Sequence, residues 1–386
     1  MMNSKKLVVC NAYPSKENIY RNGFIHRRVK AYQKYGEQVD VYYLHVNATQ
    51  EEVYEYDGVT VYFGNDDHYK EFIKLNEQTY KTFLIHFINP LMYYPIIETI
   101  ENPKIIVWIH GFEAEAWHRR WFNFLANRHE LNVILQKANQ YYTDQLEFMN
   151  QLYRETKYDI TFIHVSKWFK EHIADVDAKF SPQNYEIIPN IVDGEVFDYI
   201  PKSREGKLKV LSIRPYASYK YANDQTRDAI HILSKKPYFK DIEFHLYGEG
   251  KLFPEVTDSL KKYDNVFLHN TFLEQPEIAK IHKEFDVFMC PTRLDSQGVS
   301  MCEAMSSGLV VISSNTTAIP EYVSHNETGL LAEKENPKSL AEQLERIYFN
   351  PVLFEKISKQ AAESMRMIAG EDVVIKKELE VILGER

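Results

Sequence analysis

The sequence predicts an α/β protein built as two doubly wound parallel sheets. Three observations predict it. Short apolar runs of strand length recur along the chain, helix-period segments lie between them, and this alternation occurs twice over stretches of similar length. Apolar runs bounded by turn residues suit strands buried on both faces, and strand–helix alternation suits parallel sheets.

The first series opens with a strand at Leu7–Tyr13. A helix follows at Gly23–Tyr35, where Phe24, Ile25, Val29 and Tyr32 are spaced for one face. Strands are expected at Gln38–Leu44, Val59–Phe63, Phe83–Ile88 and Ile105–His110. A long helical stretch from about Ala114 to Glu155 then leads to strands at Ile160–Ser166 and Tyr185–Pro189. The second series places strands at Leu208–Arg214, Ile242–Tyr247, Val266–His269, Asp286–Cys290, Leu309–Ser313 and Gly329–Ala332. Its helices fall near Ala222–Ser234, Pro254–Tyr263, Gln275–Glu284, Gly298–Ser307, Pro337–Phe349 and Val352–Met367. Polar Asp193–Lys207, with Pro201 and Gly206, is the best linker. The expected division is therefore two Rossmann-like domains, 1–195 and 196–370, with a tail at 371–386 packing back on the first. Ligands of such sheets bind beyond the carboxyl ends of the strands, and the cleft between two such domains is the default site.

Composition narrows the function. A chain of 386 residues, 44% hydrophobic and 26% charged, reads as an ordinary globular protein. No run approaches the roughly 18 apolar residues of a membrane-spanning helix. The apolar run Leu7 to Cys10 is too short for a signal peptide. The three cysteines, Cys10, Cys290 and Cys302, lack metal-ligand spacing, so a reduced, cytoplasmic setting is expected. A net charge of −9 argues against a nucleic-acid binder. An anionic ligand must then be held by local positive charge. With only 14 glycines, a phosphate site made from a full glycine-rich loop is disfavoured.

The most informative segment is Pro291–Leu331. It follows a buried strand, Gly298 opens a helix, and Glu303 lies inside that helix. Amides at a helix start are orphan donors, and the helix dipole favours an anion there. A diphosphate fits at Gly298, Val299 and Ser300, with Asp295 and Glu303 on either side to accept hydrogen bonds from sugar hydroxyls. An ordinary capped helix with a buried acid fits the same residues.

The segment resembles the Glu-x(7)-Glu region of retaining, nucleotide-sugar-dependent glycosyltransferases of the GT-B fold, glycosyltransferase family four (glycosyl transferases group 1). The phrases Ile319-Pro320-Glu321, Glu327-Thr328-Gly329, Ile188-Pro189-Asn190, Ile163-His164-Val165-Ser166 and Asn22-Gly23-Phe24 carry the resemblance further. It implies two Rossmann-like domains facing across a cleft. It also implies transfer of a sugar from a UDP- or GDP-linked donor to a hydroxyl acceptor, with retention, in polysaccharide, glycolipid or glycoprotein synthesis.

Carried over residue by residue, the resemblance makes Arg214 and Lys220 the cations that neutralise the donor diphosphate, in place of a metal or other cofactor. Asp295 and His110 would hold the donor sugar, and these four residues form the catalytic group. Glu303 would bind the ribose, and Asn270, Phe272 and Leu273 would lie near the base. The expected partners are a nucleotide-sugar donor, a carbohydrate, lipid-linked or protein acceptor, and the inner face of a membrane through peripheral contact, but no nucleic acid. Asp295 is one methylene shorter than the family's usual Glu. Ile191, Ile213 and Tyr221 stand where glycine is usual, and Thr316 and Thr317 occupy a place often held by two glycines. These departures motivate a second reading, a catalytically silent GT-B scaffold or the partner subunit of a glycosylation complex. A third is a nucleotide-sugar epimerase on a similar fold.

Three further features weigh less. Asp175-Val176-Asp177 matches a metal–diphosphate motif of another transferase fold but reads as a surface loop. Trp117, His118, Arg119, Arg120, Trp121, Phe122 and Phe124 form an aromatic–basic cluster, either a core-facing stripe or a surface for a lipid-linked acceptor. The basic run from Lys16 to Lys34 reads equally as a solvated helix face or an acceptor entrance.

Overall fold

The computed structural model describes residues 5–16, 18, 21–120, 124–125, 127–137, 141–202 and 206–385. Contacts divide the chain into two units. The first comprises Met1–Arg119, Asn132–Pro189 and Val374–Arg386, and the second Arg120–Leu131 and Asn190–Val373. The junction lies at Pro189/Asn190, earlier than the 195/196 boundary expected, because Asn190 is bonded within the second unit. Its N–H donates to Gln297 Oε1 at 2.7 Å, and its carbonyl accepts from Gln297 Nε2 at 3.2 Å. Residues 120–131 also join the second unit, where Glu130 pairs with Lys251.

The first unit carries β1 (Lys5–Cys10), β2 (Val39–Leu44), β3 (Glu52–Tyr56), β4 (Val59–Gly64), β5 (Tyr80–His86), β6 (Lys104–Ile109), β7 (Asp159–His164) and β8 (Tyr185–Ile187). They form one sheet in the order β3-β4-β2-β1-β5-β6-β7-β8, parallel except where β3 meets β4. Leu7, Val9, Phe83, Ile85, Ile105 and Val107 are fully buried in its core, as strands covered on both faces require. The β3–β4 hairpin was not anticipated, although its turn is Asp57-Gly58 with φ of 47° and 74°. That is the two-residue turn favoured between antiparallel strands.

The helices Asp66–Leu75 and Pro90–Thr99 were also missed. Each starts at an asparagine, Asn65 or Asn89, whose side chain accepts from two first-turn amides. The long helix expected from Ala114 to Glu155 is instead several pieces. Asn127 starts one of them, its side chain accepting from the Glu130 N–H at 3.0 Å ahead of the Arg128–Lys137 helix.

The C-terminal tail carries a helix, Glu371–Leu383. Glu378 on it is fully buried in the first unit. Its carboxylate accepts from Arg28 Nε at 3.0 Å, Tyr32 Oη at 2.5 Å and Trp108 Nε1 at 2.9 Å. Removing one partner of such a buried pair typically costs about 3–5 kcal/mol. Arg28 is therefore no part of a solvated basic face.

The second unit carries β9 (Leu208–Ile213), β10 (Ile242–Tyr247), β11 (Val266–His269), β12 (Val287–Met289), β13 (Val310–Ser314) and β14 (Leu330–Ala332). The sheet is wholly parallel, in the order β11-β10-β9-β12-β13-β14. The chain winds outward from β9 in one direction and from β12 in the other. The β9/β12 boundary is thus the topological switch point, where a crevice opens at the carboxyl ends of the strands. Arg214 follows β9, and the Pro291–Gly298 loop follows β12.

Candidate donor-binding site

Two glycines fix the backbone around Arg214. A Cβ on Gly248 would stand 2.0 Å from the Arg214 carbonyl oxygen, and one on Gly250 would stand 2.3 Å from the Tyr216 carbonyl carbon. The loops after β9 and β10 can lie this close only without those side chains. The Arg214 N–H donates to the Tyr247 carbonyl at 3.1 Å, and the Tyr216 N–H to the Glu249 carbonyl at 2.8 Å.

Arg214 itself is 5% exposed. Its Nη1 donates weakly to Ser300 Oγ at 3.4 Å, and its Nη2 lies 3.6 Å from Asp295 Oδ2. Nε and Nη2 find no hydrogen-bond acceptor. Leaving buried charged donors unsatisfied costs on the order of 1–3 kcal/mol or more, so an anion is the natural complement.

Lys220 sits in the single turn Tyr219–Tyr221, which the Ser218 hydroxyl starts and Ala222 ends in the left-handed region at φ 51°. Both cations lie near the Tyr221 ring. Its centroid is 5.1 Å from Arg214 Cζ and 4.8 Å from Lys220 Nζ. The residue that replaces a family glycine is thus an aromatic surface against both charges.

Asp295 shapes the loop after β12. Its Oδ1 accepts from the Gly298 N–H at 2.7 Å and the Gln297 N–H at 3.3 Å. Gly298 takes φ 79° and opens the helix Val299–Ser306. The Gly298 amide, expected to face a diphosphate, is therefore engaged by Asp295. The open donors at this helix start are those of Val299 and Ser300, where the dipole adds its own attraction for an anion.

Glu303, further along the helix, is 6% exposed and accepts from Gln275 Nε2 at 3.0 Å. Gln275 begins the helix after the Asn270–Leu273 loop. In that loop Asn270 and Phe272 are exposed and Leu273 is half-buried. Phe272, at 72% exposure, is an unusually open aromatic surface.

Arg214, Lys220, Asp295, Gly298 and Ser300 therefore meet at one point of the fold, and Glu303 and the 270–273 loop are tied to each other through Gln275. Sequence reasoning missed Gln275 and Gln297, since an amide carries no motif of its own.

His110 belongs to the first unit, just after β6. His86 Nδ1 and His110 Nε2 are 2.9 Å apart, and the rings stack at 5.2 Å. Both oxygens of Glu113 hold the backbone here, accepting from the His110 and Gly111 amides at 2.6 and 3.0 Å. Phe24 and Phe87 pack on the His110 ring, and Phe87 takes a left-handed φ of 61°, uncommon for a bulky residue. Burial, reinforced by the Arg28 charge, pushes His110 down to about 3, so its imidazole is neutral near pH 7.

Asp175 and Asp177 form a helical turn, not a loop, and both carboxylates are engaged. Asp175 pairs with Lys170 Nζ at 2.6 Å. Asp177 accepts from Arg119 Nε and the Ala116 N–H at 2.8 Å each. The aromatic–basic cluster is described only in part, because 121–123 lie outside the described residues. Trp117 and His118 line an open cavity of about 690 Å3 in the first unit, with Tyr142, Gln151 and Arg154.

Residues 213–350 match the family described as Glycosyl transferases group 1. That span contains every candidate residue of the second unit. The poly(ribitol-phosphate) alpha-N-acetylglucosaminyltransferase of Staphylococcus aureus strain COL is 27% identical over 128 residues, 32% of this chain and 25% of that protein. The chain thus spans far less than two-thirds of that relative.

Among solved structures, the sucrose-phosphate synthase of Thermosynechococcus elongatus aligns over 99% of both chains with a TM-score of 0.72 at 13% identity. An Anabaena protein in complex with UDP and glucose aligns over 98% of this chain and 99% of its own, with a TM-score of 0.68 at 11% identity. At such identities the likeness is one of fold, and the fold is GT-B. Among the described residues no helix is long and apolar enough to cross a membrane.

Proposed function

We propose that the protein is a retaining glycosyltransferase that uses a nucleoside-diphosphate sugar, UDP- or GDP-linked, and a hydroxyl acceptor. The carrying observation is Arg214, a buried guanidinium with two nitrogens, Nε and Nη2, that have no hydrogen-bond acceptor, beside an open helix start. A diphosphate supplies the acceptor oxygens this arrangement lacks.

In this reading the bond from the anomeric carbon to the diphosphate oxygen breaks, and a bond from the same carbon to the acceptor oxygen forms on the same face. The hydroxyl proton passes to the departing diphosphate. Arg214, Lys220 and the Val299 and Ser300 amides stabilise the charge that develops on the leaving group, which is the main catalytic demand of such a step. The cations take the charge-neutralising role that the mechanism would otherwise ask of a metal. Glu303 accepts from the ribose hydroxyls, and the Asn270–Leu273 loop lies against the base. Asp295 holds the Gly298 turn and faces the sugar side of the diphosphate. His110, the residue that the resemblance assigns to the donor sugar, keeps a neutral imidazole at the end of β6 in the first unit. The acceptor is a glycan, lipid-linked saccharide or protein, in polysaccharide, glycolipid or glycoprotein synthesis at the cytoplasmic face of a membrane.

The test is incubation of the full chain with a panel of nucleotide sugars and simple glycoside acceptors. Release of nucleoside diphosphate together with an α-linked product from an α-linked donor supports the reading. A product of inverted configuration, or no turnover with any donor and acceptor, counts against it.

A further inference from the structure

The structure assigns Arg293 as a positioning residue that sets Lys220 against the donor diphosphate, an inference that rests on the donor-binding reading above. Arg293 lies in the loop after β12, between the strand and Asp295, and its guanidinium is fully used. Nε donates to Glu335 Oε1 at 2.7 Å. Nη1 donates to the Tyr219 carbonyl at 2.7 Å and to Asp224 Oδ1 at 2.8 Å. Nη2 donates to Asp224 Oδ2 at 2.8 Å and to Glu335 Oε2 at 2.9 Å. All five N–H groups of the fork thus have acceptors. Glu335 is held in turn by Gln225 Nε2 at 2.7 Å.

The target of this fork is the Lys220 turn. The side chain grips the Tyr219 carbonyl at the turn's first residue. The Arg293 N–H donates to the Lys220 carbonyl at 2.9 Å, and Thr292 Oγ1 adds a bond to the same oxygen at 3.3 Å. Asp224, the other end of the clamp, lies in the first turn of the helix that follows Ala222. One residue therefore spans the Lys220 turn on both sides and fastens it to the loop that carries Asp295.

The turn requires such support. It is a single 3-10 turn ended by an alanine at positive φ, a conformation that persists only where surroundings over-determine it. The Lys220 ammonium rests on the Tyr221 ring. Among the described residues no carboxylate pairs with it. Its position is thus set by the backbone beneath it, and a displacement of about 1 Å in such a group is enough to impair function severely. A lysine at 293 supplies the charge but not a planar fork that reaches both carboxylates and the carbonyl at once.

A double-mutant cycle on the full chain tests this. Wild type, Arg293→Met, Lys220→Ala and the double variant are titrated calorimetrically with UDP, GDP and ADP, and with the matching nucleoside monophosphates. Arg293→Met is expected to weaken the preferred nucleoside diphosphate about tenfold and the monophosphate less than threefold. In the Lys220→Ala background the further loss is expected to shrink below twofold. Arg293→Lys guards against simple unfolding. It is expected to melt within a few degrees of wild type and still lose affinity for the diphosphate. Equal penalties with and without Lys220, or wild-type affinity in Arg293→Lys, overturn the assignment while leaving the donor-binding reading intact. Failure of the wild type to bind any of the three nucleoside diphosphates overturns both.

Discussion

Asp295 divides its carboxylate between the Gly298 amide, 2.7 Å from Oδ1, and Arg214, whose Nη2 lies 3.6 Å from Oδ2. One short acid thus fixes the helix start and faces the buried cation. A glutamate at this position carries one more methylene and would not make the same tight turn. The aspartate is the form that suits a loop closing directly onto its own Gly298.

Lys220→Ala removes the second cation at the switch point. Charge-assisted contacts of this kind contribute about 1.5–3 kcal/mol, so nucleoside diphosphate affinity is expected to fall roughly tenfold to a hundredfold. Calorimetry reads this directly. Unchanged affinity would move the diphosphate away from Lys220.

Glu303→Gln keeps the shape of the side chain and removes its charge. Binding of the preferred ribonucleoside diphosphate is expected to weaken about tenfold, while the 2′-deoxy analogue loses much less, because a carboxylate accepts more strongly than an amide from a ribose hydroxyl. The comparison needs only two ligands and two proteins. Equal losses for both ligands would contradict the ribose assignment.

Gly248→Ala places a methyl group 2.0 Å from the Arg214 carbonyl. Two loops must separate, so Arg214 shifts. The expected outcome is a destabilisation of about 1–3 kcal/mol with loss of nucleotide binding, read by thermal melting and calorimetry. An alanine variant that melts and binds like wild type would show that the two loops yield without cost.

Four buried histidines set an acid limit to stability. Burial holds His110, His164 and His282 down to about 3 and His86 well below 6.5, so the folded protein keeps them neutral. The unfolded chain protonates them near 6.5. Between about 6.5 and 3 the unfolded state therefore binds more protons, and their contribution, fully present above 6.5, is lost as pH falls. Melting temperature is expected to drop steadily from pH 7 towards pH 4.5. A profile flat over that range would contradict the assignment.

The second unit was legible in the sequence almost strand for strand, because each strand is an apolar run buried on both faces. Val310–Ser314 is wholly buried, and Val287–Met289 likewise. The first unit was less legible where structure is half-exposed. β3 alternates around Val53 and Tyr54 on an open edge, and only its Asp57-Gly58 turn betrayed it. Two helices began at asparagines whose capping role competes with a loop reading. The candidate residues Arg214, Lys220, Asp295 and Glu303 come from the family resemblance: Arg214 and Asp295 lie in the loops after β9 and β12, Lys220 in a single 3-10 turn and Glu303 inside the helix Val299–Ser306. The Arg293 fork, the Gln297 clasp on Asn190 and the Glu378 network were not legible. Each joins residues far apart in the chain, and a single sequence carries no sign of such partners.

In the proposed reading, Arg214 at the β9/β12 switch point holds a nucleoside diphosphate. The most direct test of that reading is calorimetric titration of the full chain and of Arg214→Ala with UDP, GDP and ADP. At least one ligand is expected to bind the wild type, and Arg214→Ala is expected to weaken it by about a hundredfold. Equal affinity in the two proteins, or no binding of any of the three to the wild type, would contradict it.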